Sequence, residues 1–334
     1  MKYISLILFA SFLSCSTFEN SKSLVHNYGQ AQGTFYSIKY MSINAKDFHN
    51  QIDSLFLELD SSLSTYVSYS LISGINKGDT SLLLDSFFLN VFKASQQVSK
   101  ATDGLFDCTV APLVNAWGFG PNALDSTLMD TMQIQSLLKK IGYQSISLKG
   151  DTLLSNPKKR ILDFNALAQG YSVDVIGHFL ESRGIENYLV EVGGELKAKG
   201  FNSRNKKWLI GIDKPLKNID KNDRFQHKLE LFNKSLATSG NYRKFYKKND
   251  RVYSHTIHPK TGYPVQHALL SASVVTDECM MADAYATAFM VMGVESTKTF
   301  LESNKDLEVF LIYTNEDNEW ESWSTKGFEE MVIK

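Results

Sequence analysis

The sequence predicts an α+β fold: a single domain in which helices pack on a largely antiparallel sheet. Three observations predict it. From residue 187 onward short alternating segments follow one another with few helices between them, where a doubly wound fold would alternate strand and helix. Helical spacing of apolar residues is concentrated earlier, near 48–63, 86–102 and 133–141. Glycine turns such as "KGDT", "EVGGE" and "ATSGNY" punctuate the alternating runs. At 334 residues, 43% of them hydrophobic, the chain can bury a sizeable core. Its 35 basic and 36 acidic residues leave no basic excess, so a nucleic-acid partner is not indicated.

The elements follow in order. Lys2, the apolar run Ile4–Leu13 and "FLSCS" form a targeting segment, too short to span a bilayer. It resembles a bacterial lipoprotein signal, in which Cys15 becomes the lipidated first residue, with Phe12 where Leu is usual. An ordinary cleaved signal and a cytoplasmic chain are the alternatives. The expected organisation is therefore a signal over 1–15, a tether over 16–28 and a domain over 29–334. The resemblance implies a lipid-anchored protein of the bacterial cell envelope, facing the periplasm.

"GTFYSIKYM" alternates like a strand. A helix carrying Phe48, Ile52, Leu55, Phe56, Leu59 and Leu63 follows Asn44, a candidate N-cap. Ser86 to Thr102 and Gln133 to Ile141 read as helices, "SISLKGDTLLS" as a hairpin and "RILDF" as a short strand. Ala168 to Arg183 is an amphipathic helix closed by Gly184. Then come the strands "NYLVEV", "WLIGID", "HKLELF", "KSLATS", "RVYSHTI" and "LLSASVV", with a surface loop over 214–226. A buried helix begins after Thr276, its candidate N-cap. A shorter helix over Glu295–Ser303 and a final strand, "LEVFLIY", close the pattern. Cys108 and Cys279 either pair or remain free buried thiols, and no CxxC suggests zinc.

The helix after Thr276 holds the main chemical signal. "DECMMADAYATAFMVMG" is apolar except for Asp283 and Thr287, which share one face at i and i+4. A buried carboxylate needs a cation or several donors. One reading is a salt bridge to an arginine elsewhere, with Thr287 bonded to its own helix. The other is a hard-oxygen site for Mg²⁺. In "LDFNALAQGYSVD", Asp163 precedes a turn containing Asn165 and Ala166, and a helix start beyond it can hold an anion. Asp163 reads equally as a turn residue. "SHTIHPKTG" offers His255 and His258, either as surface turn histidines or with His255 as a general base. "TDGLFDCTVAPLVNAWGFG" interleaves glycines with Phe106, Trp117 and Phe119, as a packed turn or as walls for a planar ligand. Neither GxGxxG nor a Walker loop is present.

In this order the motifs "QGTFYSI", "LSTYVSYSLISGIN", "TDGLFDCTVAPLVNAWGFG", "LDFNALAQGYSVD", "EVGGE", "ATSGNY", "YSHTIHPKTGYPV" and "ADAYAT" resemble one family, the ApbE-type flavin transferases or FAD:protein FMN transferases, from about Gly29 to Tyr313. The resemblance implies a T-fold-like ApbE domain that binds FAD and Mg²⁺. Such enzymes move FMN from FAD to a Thr or Ser hydroxyl of a target flavoprotein, such as a redox-pump subunit, and release AMP. It implies Mg²⁺ on Asp283, Thr287 and the Ala166 carbonyl. It implies FAD contacts at Gln32, Tyr66, Leu105, Phe106, Asp107, Asp163, Gln169, His255 and Ile257. His255 is the candidate acceptor of the hydroxyl proton, and Asp283 the carboxylate on which the chemistry depends. Gln169 stands where the family often has Lys, Cys108 where Pro is common, and "FNALAQG" where "LGGIAKG" is usual. A Mg²⁺-dependent FAD pyrophosphatase and a non-enzymatic FAD-binding lipoprotein are the alternative functions.

Overall fold

Alternation in the sequence becomes an antiparallel sheet, and the helical segments lie against it. The computed structural model describes residues 22–79, 81–120, 129–155, 160–215, 224–241, 245–248, 251–317 and 319–333. Cys15 with the apolar run before it, and positions 216–223 of the expected surface loop, lie outside them. In chain order come β1 (Lys22–Ala31) and β2 (Thr34–Ile43), then α1 (His49–Leu63), α2 (Leu71–Lys77), α3 (Ser86–Ala101), α4 (Ala111–Ala116) and α5 (Thr131–Leu138). The hairpin β3 (Ile146–Lys149) and β4 (Thr152–Ser155) leads to α6 (Ala168–Ser182). Next are β5 (Tyr188–Val192), β6 (Glu195–Lys199), β7 (Trp208–Asp213), β8 (Phe225–Leu231), β9 (Lys234–Gly240), β10 (Phe245–Lys248), β11 (Arg251–Ser254) and β12 (Leu269–Thr276). The chain closes with α7 (Cys279–Met292), α8 (Val294–Ser303), β13 (Glu308–Thr314), β14 (Trp320–Ser324) and α9 (Lys326–Met331).

Eight strands form one sheet in the order β1-β2-β5-β6-β9-β12-β13-β14. Every neighbouring pair is antiparallel. On one face Phe88, Phe92, Phe164 and Phe289 pack against Ala237, Val274 and Leu311 of the strands. The opposite face is covered by the β7–β8 hairpin and α9, through Trp208, Ile210, Leu229 and Phe328. Most residues of α7 are buried, as its apolar composition on every side requires. Its alanines 282, 284, 286 and 288 let neighbouring backbone approach closely. Among the described residues no helix is long and apolar enough to cross a membrane.

Several boundaries move from where the sequence placed them. The tether over 16–28 gives way at Lys22, where β1 begins and pairs with Ile43. Its polar composition reflects an edge strand with one face open: Lys22, His26 and Gln30 are exposed while Asn27 is buried. Asn44 does not cap α1; it sits at φ 54° in a turn, and Asp47 instead accepts from the His49 amide. "RILDF" joins no ladder, because its backbone is claimed elsewhere. The Asn76 side chain bonds both the amide and the carbonyl of Leu162, and the Asp163 amide donates to the Cys108 carbonyl. Thr276 ends β12 rather than capping α7. Both exceptions arise from partners far away in sequence.

The two described cysteines are free and buried. Burial pushes the Cys108 thiol up to about 12 and the Cys279 thiol well above its ordinary value. A thiolate is the reactive form. Both thiols are therefore expected to react with a disulfide reagent at pH 8 only slowly in native buffer and rapidly in urea, which a timed titration in the two conditions will measure.

Candidate functional site

A cleft of about 1350 Å³ lies where the β1–β2 turn, the α6 start, the β5–β6 turn and α7 meet. Both metal candidates, Asp283 and Thr287, open onto it with Ala166. So do Gln32, Tyr66, Leu105, Phe106, Asp107, Asp163, Gln169, His255 and Ile257. Residues up to 255 positions apart in the chain thus share one concavity, counted from Gln32 to Thr287.

The cleft walls follow from local rules. Gln32 and Gly33 make the β1–β2 turn with φ 53° and 72°, the two positive angles a tight hairpin needs. That turn aims Gln32 inward. Its Nε2 donates to Ser172 Oγ at 2.7 Å, and its Oε1 is buried without a partner. Asp107 is buried and fastens its own wall: Oδ1 accepts from the Thr109 amide and hydroxyl, and Oδ2 from the Tyr143 amide. Burial still pushes its carboxyl up. Asp163 accepts from the Asn165 amide at 2.8 Å, setting the turn that presents Ala166 before α6 starts. Burial raises its carboxyl too, and the Asp163 charge adds to burial in raising the Tyr66 phenol.

The two histidines separate. His255 lines the cleft, with its ring edge-on to Phe119 at 6.3 Å. His258 serves its own turn, where Nδ1 accepts from the Lys260 amide, and burial keeps it on the neutral side. Trp117 is not a ligand wall: it is buried and donates to the Gly262 carbonyl at 2.8 Å.

Asp283 is 6% exposed, and no arginine or lysine pairs with it among the described residues. Its Oδ2 accepts one bond, from the Gly170 amide at 3.2 Å. Thr287 Oγ1 meets Ser239 Oγ at 3.2 Å. Burial pushes the Asp283 carboxyl up, with the Gly170 amide opposing. Gly170 is required at this crossing: a Cβ there would lie 2.5 Å from the Cys279 carbonyl oxygen and 2.9 Å from Asp283 Cβ. The salt-bridged reading of Asp283 is therefore not what the described residues form.

Two residues that sequence reasoning left without a role complete the surroundings. Glu195, 9% exposed, follows the Gly193–Gly194 turn and lines the cleft. Burial and then the Asp283 charge push its carboxyl up. Asp174, 3% exposed, is the true cap of α7. Its oxygens accept from the amides of Cys279 at 3.1 Å and Met280 at 2.9 Å, and from Lys197 Nζ at 2.8 Å. The signal for Asp174 was an acid inside a helix that otherwise packs inward. Asp174→Ala would strand Lys197 and the α7 amides. A loss of about 3–5 kcal/mol is expected, as for breaking a buried ion pair, read from urea melts.

The donors available are two carboxyls, a hydroxyl and the backbone of the 163–167 turn. Among the described residues no three His, Cys, Asp or Glu gather in a metal-holding cluster, so an ion here would also need the Thr287 hydroxyl and backbone oxygens. Hard oxygen donors beside two buried carboxyls, neither ion-paired to a lysine or arginine among the described residues, fit a small divalent ion such as Mg²⁺. Carboxyls of Asp60, Asp107, Asp163, Glu191, Glu195, Asp213 and Asp283 line the cleft, against Lys39 and Arg224. Arg224 is itself held by Asp213 at 2.8 and 2.9 Å. A phosphate-bearing ligand would meet repulsion here unless cations accompanied it.

Several known proteins are similar to this chain. The ApbE family model matches residues 32–311. A curated relative from Vibrio cholerae serotype O1, "FAD:protein FMN transferase", is 34% identical over 98% of this chain and 99% of its own length. Another of that name from Escherichia coli strain K12 is 30% identical over 91% and 88%. Among solved structures, "Flavin Transferase ApbE from Vibrio cholerae" superposes with a TM-score of 0.83 at 32% identity, covering 93% of this chain and 99% of that one. The apo form of the Pseudomonas stutzeri flavinyl transferase ApbE gives 0.83 at 31% identity, covering 93% and 97%.

Proposed function

Because the chain belongs to the ApbE family, we propose that it transfers the FMN half of FAD to a Thr or Ser hydroxyl of a target protein. The hydroxyl oxygen bonds to the phosphorus on the FMN side, the bond to the AMP oxygen breaks, and AMP leaves. The observation that carries this reading is the convergence of Asp283, Thr287, Asp163, Gln169 and His255 on one cleft, in a chain similar to relatives of that name along nearly its full length.

Phosphoryl transfer depends mainly on positioning and charge neutralisation. Mg²⁺, when bound by Asp283, Thr287 and the Ala166 carbonyl, would supply the charge that the leaving AMP needs. The remaining work belongs to the chain. The unpartnered Gln32 Oε1 and the backbone around Leu105–Asp107 orient FAD, with Phe106 and Phe119 as apolar wall. The α6 start presents the Gln169 amide to the phosphates. An imidazole nitrogen of His255 takes the proton of the incoming hydroxyl. On this reading Gln169, uncharged, orients rather than neutralises.

The acceptor is an exported flavoprotein, such as a subunit of a membrane redox pump. Lys2, the apolar run to Leu13 and Cys15 support anchoring in the cell envelope. The test is incubation with FAD and Mg²⁺, with and without an acceptor protein. AMP release that depends on the acceptor, together with FMN mass on its Thr or Ser, is the expected result. Free FMN formed at a rate indifferent to the acceptor points instead to a pyrophosphatase, and tight FAD binding without AMP to a carrier.

A further inference from the structure

A cation held by Asp283 and Thr287 leaves Glu195 unexplained. The β5–β6 connection is a two-residue turn, Gly193–Gly194, at φ 67° and 120°, with Val192 paired to Glu195. These angles favour glycine, and they turn Glu195 back over the start of α6. A Cβ at Gly193 would meet Gln169 Nε2 at 3.1 Å and Glu195 Oε2 at 3.2 Å. The side chains of Gln169 and Glu195 therefore both border Gly193, while the amide of the residue after Gln169, Gly170, holds Asp283 Oδ2. Two carboxylates from different elements thus border the same cleft.

The same strand and helix show what a satisfied position looks like. Two residues along β6, on the same face, Lys197 meets Asp174 at 2.8 Å, one turn beyond Gly170 on α6. There an acid faces a base. Glu195 instead shares the cleft with another acid, Asp283, and no lysine or arginine ion-pairs with either among the described residues. Glu195 Oε2 is buried with no hydrogen-bond partner. An uncompensated buried carboxylate costs several kcal/mol, so the fold carries it for something that binds.

We propose that Glu195 completes the cation site as a second carboxylate donor beside Asp283, so that this chain grips its divalent ion between α7 and the β5–β6 turn. This rests on the cation reading of Asp283 and Thr287. Such an ion would do for Glu195 and Asp283 what Lys197 does for Asp174, and would tie the β5–β6 turn to the helix carrying Thr287.

Mn²⁺ tests this on the full chain without FAD, with the free ion followed by its electron paramagnetic resonance signal. Wild type binds Mn²⁺. Glu195→Gln, the same size without the charge, weakens binding by about 10- to 100-fold, and Glu195→Asp falls between. Circular dichroism and thermal melts show the variants folded, and Mn²⁺ raises the melting temperature of wild type more than that of Glu195→Gln. Wild-type affinity in Glu195→Gln, alongside lost binding in Asp283→Asn, overturns the role of Glu195 and leaves the Asp283 site standing. Unchanged Mn²⁺ affinity with weakened FAD binding overturns it in favour of a substrate contact. No Mn²⁺ bound by wild type at millimolar concentration overturns both.

Discussion

Asp283→Asn is expected to lower AMP release from FAD on the order of 10³-fold, as when a central electrostatic group is removed from a site, while the protein stays folded. The amide oxygen of asparagine can still accept the Gly170 N–H that Oδ2 now accepts at 3.2 Å. The lost charge also removes repulsion with Glu195, so the metal-free variant should melt no lower than wild type. What it cannot do is hold a hard cation as tightly, since a neutral amide replaces an anionic donor. Chromatographic measurement of AMP, paired with a thermal melt, decides the matter. Activity within threefold of wild type would remove the basis for the cation reading.

The second large effect concerns pH. Metal-free protein is expected to lose stability as pH climbs from the ordinary carboxylate range toward neutrality. Asp283 and Glu195 both have folded values raised above their unfolded ones, chiefly by burial, with the Asp283 charge also raising Glu195. In that window the folded state retains protons the unfolded chain has released, so unfolding free energy falls with pH. The contribution is full below the unfolded values and lost as pH rises through the folded ones. A tenfold difference in proton affinity between the folded and unfolded states corresponds to about 1.4 kcal/mol. Glu191 adds to the repulsion at Glu195, while Lys197 and Asp174 answer each other. His258 and His267 are lowered by burial and act in the opposite sense below the ordinary histidine value. The slope is therefore read as the difference between wild type and Asp283→Asn in urea melts with chelator at pH 5 to 8. Millimolar Mg²⁺ should flatten it. Equal slopes in the two proteins would mean that the acids do not share a buried site.

Most of the architecture was legible because periodicity is local. Strands β5, β7, β8, β9, β11 and β12 and the helices at 86–101 and 168–182 stand close to where alternation and spacing put them, whereas β6 and β10 were not among the expected strands. Legibility failed where a distant side chain decides the local backbone. Asn76, 86 positions away, captures Leu162 and prevents a strand. Asp174, 105 positions away, caps α7 in place of Thr276. The start of β1 was missed because an edge strand with one wet face reads as linker. Among site residues, Asp283 and Thr287 announced themselves as polar faults in an apolar helix. Glu195 did not, since an acid at a glycine turn looks like surface until the sheet folds it inward.

Of the two interior thiols, Cys108 lines the cleft and Cys279 lies in the core at the start of α7. Cys279 begins α7, its carbonyl against Gly170 and its amide on Asp174, whereas Cys108 adjoins Asp107 and accepts from the Asp163 amide through its carbonyl. The molecule therefore carries native reporters of its own breathing. Slow labelling of one thiol before the other would time the opening around each separately, and a ligand bridging both regions should slow the two clocks together.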